Sequence, residues 1–271
     1  MKNKKIAFIH IPKTGGRSLD SLIWNTYKNK NDSFLYSFFG RDKSNGANQR
    51  GMSERYENRP DIIEIIKNDD HFKESSFITG HFSYSVLALF DEYKFDVCTM
   101  LREPISRVIS NIYQYTNHFP KEKIWKFGGN VVPKKGTNEY WSEIYKILNE
   151  SETIRGLCPH ENMMLRDGMV HMIGGTNLAT YTKDAPLDKA LSNAESVSFS
   201  IFEDYNNTAR QMLESVGIYD VDFSQNSLGD GNPNKNAKHF NYGCPDNVIS
   251  LIESMNKSDI IFYDTIVNNM K

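Results

Sequence analysis

The chain has 271 residues, 39% of them hydrophobic and 24% charged, an ordinary globular composition and long enough to bury a sizeable core in one domain. A formal net charge of −2 removes the global excess of Lys and Arg that a nucleic-acid binder carries. The scattered cysteines Cys98, Cys158 and Cys244, with no CxxC spacing, argue against a disulfide framework and fit a reducing compartment.

Taken in order, Ile6–Ile11 (IAFIHI) reads as a short buried strand, closed by Pro12 and a Gly pair. The run is too short for a signal sequence or a membrane span and is broken by His10, and no later stretch reaches span length. The expectation is therefore a cytoplasmic protein with one domain over residues 1–271. Leu19, Leu22, Ile23 and Trp24 give residues 18–27 a helical stripe, so the chain opens as strand, Gly-containing turn and helix. Residues 29–60 are polar and predict a loop, and Ile62–Lys67 a short helix.

Ser76–Thr79 predicts a second strand, followed at once by Gly80-His81. Phe95–Leu101 (FDVCTML) is the clearest strand after the first, and Glu103–Tyr115 a helix with Ile105, Val108, Ile109 and Ile112 as its stripe. Residues 120–137 carry Pro, Lys and Gly and read as a surface excursion; Lys121, Lys123, Lys126, Lys134 and Lys135 there fit a solvated face or a patch for a polyanion. Helices are predicted over Glu139–Leu148, Leu187–Ala194, Tyr205–Val216, Val248–Met255 and Ile260–Val267, with a strand at Val197–Phe202. Residues 224–238 form a low-hydrophobicity loop that could close over a ligand. Strands alternating with helices predict an α/β fold, a mostly parallel sheet flanked by helices, whose ligand sits beyond the carboxyl ends of the strands. His10 to Ser18, Gly80-His81 and Arg102 all fall just past strand ends.

HIPKTGGRS (His10–Ser18) has the composition of an anion loop. Gly15 and Gly16 admit a close ligand, the following helix offers free N–H groups, Lys13 adds a cation, and Thr14 and Ser18 add hydroxyls. GxxxxGK[ST] is absent, so this is not a nucleotide-hydrolase P-loop. In LREPISRVIS, Arg102 leaves a strand end and Ser110 lies in the helix behind it, together placed to grip a second phosphate.

FIHIPKTGGRSL resembles the 5′-phosphosulfate loop of the Golgi-type carbohydrate sulfotransferases and their bacterial relatives, in particular the heparan sulfate 2-O- and 6-O-sulfotransferase group. LREPISRVISNIYQY is similar to that group's 3′-phosphate motif, with Arg102, Arg107 and Ser110 at the matching spacing and Glu103 in place of the usual Asp. ITGHFSY resembles the element that carries the catalytic base, ENMMLRDG the family's Asn-x-x-x-Arg segment, and SVSFSIFEDYNNTARQMLESVG its late strand and helix. The mammalian members carry a signal anchor, whereas nine residues precede His10 here, which points to a soluble bacterial-type enzyme.

The resemblance implies a P-loop-like sulfotransferase fold and transfer of a sulfuryl group from 3′-phosphoadenosine 5′-phosphosulfate (PAPS) to a hydroxyl of a carbohydrate or glycan precursor, releasing 3′,5′-ADP, with no metal. Lys13 would stabilise the leaving oxygen. Lys13, Thr14, Gly15, Gly16, Arg17 and Ser18 would bind the 5′-phosphate, and Arg102 and Ser110 the 3′-phosphate. His81 would be the general base, and Asn162, Arg166 and Tyr84 would be weaker candidates for acceptor contact. His10, on this reading, packs beside the first strand, and His160 and His171 have no role. The competing expectations are a phosphotransferase using the loop for ATP, or an inactive relative that keeps affinity for PAPS or 3′,5′-ADP.

Overall fold

In the computed structural model, which describes residues 5–16, 19, 22–23, 35–38, 49–51, 68, 70–88, 95–120, 122, 124–176, 184–219, 221, 223 and 243–270, the first apolar run forms strand β1 (Lys5–Ile9). It is joined by β2 (Leu35–Phe38), β3 (Gln49–Gly51), β4 (Phe77–Gly80), β5 (Phe95–Leu101) and a late strand, β9 (Val197–Ile201), in one six-stranded sheet of order β3-β2-β4-β1-β5-β9. Every pairing in it is parallel. The α/β class with a parallel sheet thus stands. The two strands at one edge correct the expectation of a loop over residues 29–60. The proposed helix at 62–67 and the loop at 224–238 lie outside the described residues.

A parallel sheet is covered on both faces, so its strands are apolar at odd and even positions alike. On one face Ala7, Ile9, Ile78, Val97, Leu101 and Ile201 pack against short helices α1 (Asp70–Glu74) and α2 (Tyr84–Ala88) and further helices from later in the chain. Those are α6 (Gly168–Ile173), α7 (Leu187–Ala194) and the C-terminal α10 (Lys257–Asn269). On the other face Ile6, Phe8, Phe77, Cys98 and Met100 meet Leu19, Leu22 and Ile23, which are helical, and α8 (Tyr205–Ser215).

A third core lies beside the sheet. Helix α3 (Pro104–Tyr115) contributes Val108, Ile109, Ile112 and Tyr115, α4 (Asn138–Glu150) contributes Tyr140, Trp141, Ile144 and Leu148, and α9 (Asp246–Met255) contributes Val248 and Ile252. Against them packs an antiparallel sheet of β6 (Thr116–Phe119), β7 (Ile124–Phe127) and β8 (Asn130–Val132). The predicted surface excursion at 120–137 is therefore in large part a hairpin. Phe127 pairs with Asn130, leaving Gly128-Gly129 as a two-residue turn, the dipeptide class that tight hairpins select.

Buried charge fixes how the C-terminal helix docks. Arg107 on α3 and Asp259 on α10, both with side chains at 0% exposure, form an ion pair at 2.8 Å. The second terminal nitrogen of the Arg107 guanidinium donates to the Met164 carbonyl at 2.9 Å, while Asp259 accepts from the Met169 and Val170 N–H groups at 3.1 and 2.8 Å. One carboxylate thus caps α6 and neutralises a buried cation from α3. Among the described residues no helix is long and apolar enough to cross a membrane.

Candidate active site

Strands β4, β1 and β5 are adjacent and parallel, with Ile9 opposite both Gly80 and Thr99, so their carboxyl ends share one rim. The chain leaves that rim as His10 from β1, His81 from β4 and Arg102 from β5. Two bonds tie the ends together: the His10 N–H donates to the Gly80 carbonyl at 2.9 Å, and the Thr99 hydroxyl donates to the Ile9 carbonyl at 2.6 Å. On the far side β9 pairs Ile201 with Leu101, which sets Phe202 beside Arg102.

The loop after β1 is held in an unusual backbone state. Lys13 has φ 67°, a left-handed conformation that costs a non-glycine residue about 1 kcal/mol or more. Its carbonyl accepts from the Arg102 guanidinium at 3.2 Å, so a strand-end arginine secures the strained residue. Gly15 has φ +85°, and a Cβ there would lie 2.5 Å from the Phe202 ring. At Gly16 a Cβ would lie 2.6 Å from the His10 ring. Both glycines are therefore required by close packing behind the loop. Thr14 is fully buried and its hydroxyl, a candidate donor to an anion, donates instead to the Ile11 carbonyl at 2.8 Å, which leaves its backbone N–H as the group for a ligand. Arg17 and Ser18 lie outside the described residues.

Arg102 is 6% exposed and stacks over Phe202, 4.7 Å from the ring centre. Glu103 is committed to capping α3, accepting from the Ile105 and Ser106 N–H groups at 2.8 and 2.7 Å. Pro104 at the first helical position needs no partner for a missing N–H. Glu203 accepts from the Glu103 N–H at 3.1 Å and from the Tyr263 hydroxyl at 3.0 Å. Burial pushes its carboxyl up, opposed by those hydrogen bonds and by the nearby Arg102. Ser110 follows on α3, 6% exposed. The remaining arginine of the motif, Arg107, points into the core as described above.

His81 is partly exposed, and two rings to which the sequence assigns no part in the site lie beside it. His10 lies 5.2 Å away between ring centres and His160, on α5 (Pro159–Met163), 5.6 Å away. Nothing in the sequence around His160 signals this; the contact is made only by folding. Tyr84 is half-buried at the start of α2, three residues after His81 in the chain.

The Asn162 side chain and one guanidinium nitrogen of Arg166 are engaged by backbone carbonyls and N–H groups of the fold. Asn162 is 2% exposed, its carbonyl oxygen accepting from Ile154 N–H at 2.6 Å and its amide donating to the Leu157 and Cys158 carbonyls at 3.1 and 3.2 Å. It fastens the segment before α5. Arg166 donates to the Leu148 and Ser151 carbonyls, each at 3.2 Å, which places a cation on the carboxyl end of α4. In the lysine-rich segment, Lys126 pairs with Glu122 at 3.3 Å. Lys135 donates to the Tyr113 carbonyl and lies 5.5 Å from the Tyr113 and Trp125 ring centres, where burial lowers its pKa. Lys134 is exposed, and Lys121 and Lys123 lie outside the described residues.

The rim thus combines a glycine loop carrying a strained lysine, a buried arginine that braces it, and an accessible imidazole one strand away. Such a set can hold a polyanion and take a proton beside it. Among the described residues no group of three or more His, Cys, Asp or Glu is arranged to hold a metal ion. No family model matches the chain, and no curated protein matches it.

Proposed function

We propose that this rim binds PAPS and transfers its sulfuryl group to a hydroxyl of a carbohydrate or glycan precursor. The observation that carries the reading is the delivery of Lys13, His81 and Arg102 by three neighbouring parallel strands to one edge. The sulfotransferase-like spacing of HIPKTGG, GHFSY and LREPISRVIS along the chain supports it independently. PAPS carries two separated anionic groups, and the residues fit it: the glycine loop with Lys13 suits the phosphosulfate, and Arg102 with Ser110 suits the 3′-phosphate.

When bound, PAPS supplies an activated sulfur atom. Transfer forms the bond from sulfur to the acceptor oxygen as the bond to the bridging oxygen of the nucleotide breaks. His81 accepts the acceptor proton, Lys13 stabilises negative charge on the departing oxygen, and the loop backbone holds the 5′-phosphate. In this reading Arg102 has a double task, binding the 3′-phosphate and bracing the Lys13 carbonyl.

The test is calorimetric titration of the full chain with 3′,5′-ADP and with ADP in EDTA. Wild-type protein prefers 3′,5′-ADP. Arg102→Ala weakens 3′,5′-ADP by roughly 10- to 150-fold, the equivalent of about 1.5–3 kcal/mol for a charged hydrogen bond, and weakens ADP less, through the lost brace on the Lys13 carbonyl alone. Equal binding of the two nucleotides by wild-type protein overturns the assignment.

A further inference from the structure

Strand β9 runs parallel to β5 with Ile201 opposite Leu101, so the residues that follow the two strands leave the sheet side by side. Phe202 and Glu203 follow one strand, Arg102 and Glu103 the other. One tight helical turn, Phe202–Asp204, sends the first two side chains to different parts of the same neighbour. The Arg102 guanidinium lies over the Phe202 ring, 4.7 Å from its centre, and the same ring fills the space where a Cβ on Gly15 would come within 2.5 Å. The Glu203 carboxylate reaches the backbone instead. One oxygen accepts at 3.1 Å from the Glu103 N–H, which belongs to the peptide unit joining Arg102 to Glu103. Its other oxygen accepts from the Tyr263 hydroxyl at 3.0 Å. Tyr263 lies four residues beyond Asp259, on the same side of α10, and Asp259 is the carboxylate paired with Arg107 on α3. The C-terminal helix therefore holds the start of α3 at two points, directly through the buried ion pair and indirectly through the Glu203 that it anchors.

We propose that Glu203 is a positioning residue for the anion site: with Phe202 it grips Arg102 at both ends, peptide and guanidinium, and so fixes the direction in which that arginine offers its donors. The inference rests on the reading of Arg102 as the ligand of the 3′-phosphate. Glu203 is near enough to Arg102 for the two charges to attract, and a carboxylate in that place opposes an incoming anion. Its task is therefore one of geometry, and its two hydrogen bonds supply it. The Arg102 guanidinium also donates to the Lys13 carbonyl at 3.2 Å, so the grip carries over to the strained residue of the glycine loop. An arginine held in advance gives up little side-chain freedom when the phosphate arrives. A loose one is ordered only then, which weakens binding by about 3- to 10-fold. Because Arg102 meets the 3′-phosphate, that loss falls more heavily on 3′,5′-ADP than on ADP.

The experiment compares Glu203→Ala with Glu203→Gln in the full chain. Both remove the negative charge, but the glutamine oxygen can still accept from the Glu103 N–H while its amide donates to the Tyr263 hydroxyl. The difference between the two variants therefore reads the grip alone. Calorimetry gives the affinities for 3′,5′-ADP and ADP, and NMR of 15N-arginine-labelled protein without nucleotide gives the Arg102 Nε–H signal, identified by its loss in Arg102→Lys. Glu203→Gln keeps the wild-type preference for 3′,5′-ADP within about twofold and leaves the Arg102 signal in place. Glu203→Ala loses about 3- to 10-fold of that preference, and its Arg102 signal moves to the position of solvent-exposed arginines. Tyr263→Phe, which frees one Glu203 oxygen, shifts both readings in the same direction and carries the test should Glu203→Ala not fold. Like values for folded Glu203→Ala and Glu203→Gln, or an Arg102 signal unmoved by Tyr263→Phe and by loss of the carboxylate alike, overturn the proposal. A wild-type protein with no preference for 3′,5′-ADP would instead count against the PAPS reading, and the Arg102 signal would still decide the role of Glu203.

Discussion

Arg107→Ala should damage stability and leave ligand selectivity alone, although Arg107 sits in the same motif as Arg102. Its guanidinium is fully buried, bonded to Asp259 at 2.8 Å and to the Met164 carbonyl at 2.9 Å. Removing it strands the Asp259 carboxylate in the core, a loss of about 3–5 kcal/mol for a broken buried pair. That is a large part of the roughly 5–15 kcal/mol by which domains are stable, and it corresponds to a fall in Tm of roughly 10 °C for a chain of this size. Asp259→Asn should cost less than Asp259→Ala, because an amide oxygen in place of Oδ1 can still accept from the Val170 N–H, one of the two N–H groups that the carboxylate caps. Urea denaturation of Arg107→Ala, Asp259→Ala and the double variant measures the coupling, expected to be well above 1 kcal/mol, since the pair removed together leaves no lone charge. A normally stable Arg107→Ala that selectively loses 3′,5′-ADP would refute the argument and place Arg107 at the ligand.

Gly15→Ala should destabilise by roughly 2–4 kcal/mol, since a left-handed φ and overpacking combine: φ is +85° and the new Cβ would meet the Phe202 ring at 2.5 Å. Unchanged urea stability would show that the loop backbone or Phe202 gives way without cost. Buried His171, whose Nδ1 lies 2.9 Å from the Thr176 hydroxyl, is lowered by burial to about 4. The unfolded chain, titrating near 6.5, binds a proton there that the folded chain refuses, so stability is lost as pH falls from about 6.5 towards 4, by up to about 3 kcal/mol. Asp167 acts oppositely, since burial and the neighbouring Asp259 raise its carboxyl to about 6, and its contribution is lost as pH rises through that value. His171→Gln should therefore remove the acid-side loss and expose the opposite slope; an unaltered stability profile between pH 4 and 6.5 would sink this account.

The inner strands and the long helices were legible in the sequence because their apolar spacing reports burial directly. Phe95–Leu101 and Leu187–Ala194 have the predicted limits, and β1 ends two residues sooner than its apolar run, at Ile9. The edge strands β2 and β3 escaped because short pieces in a polar stretch carry too little periodicity to mark them. The hairpin of β7 and β8 has a signal in the sequence, Gly128-Gly129 between Ile124–Phe127 and Asn130–Val132, but the surrounding lysines and prolines give the segment the composition of a surface loop. Helices α5 and α6, five and six residues long, are too short to show a stripe.

The anion-loop composition, the glycine pair and the order of the three rim segments were determined by sequence alone, because local backbone chemistry and the ends of buried strands are written in consecutive residues. Only the tertiary structure decided which polar groups face the rim. Arg102 and Arg107 are five positions apart, and the turn from strand to helix sends one to the loop and the other to Asp259, 152 residues away from it in the chain. Thr14 and Asn162, equally polar on paper, are consumed by backbone partners. His10, His81 and His160 meet because strand pairing aligns the first two and the docking of a five-residue helix brings the third. Contacts of that range are set by the packing of whole elements, which no local pattern encodes.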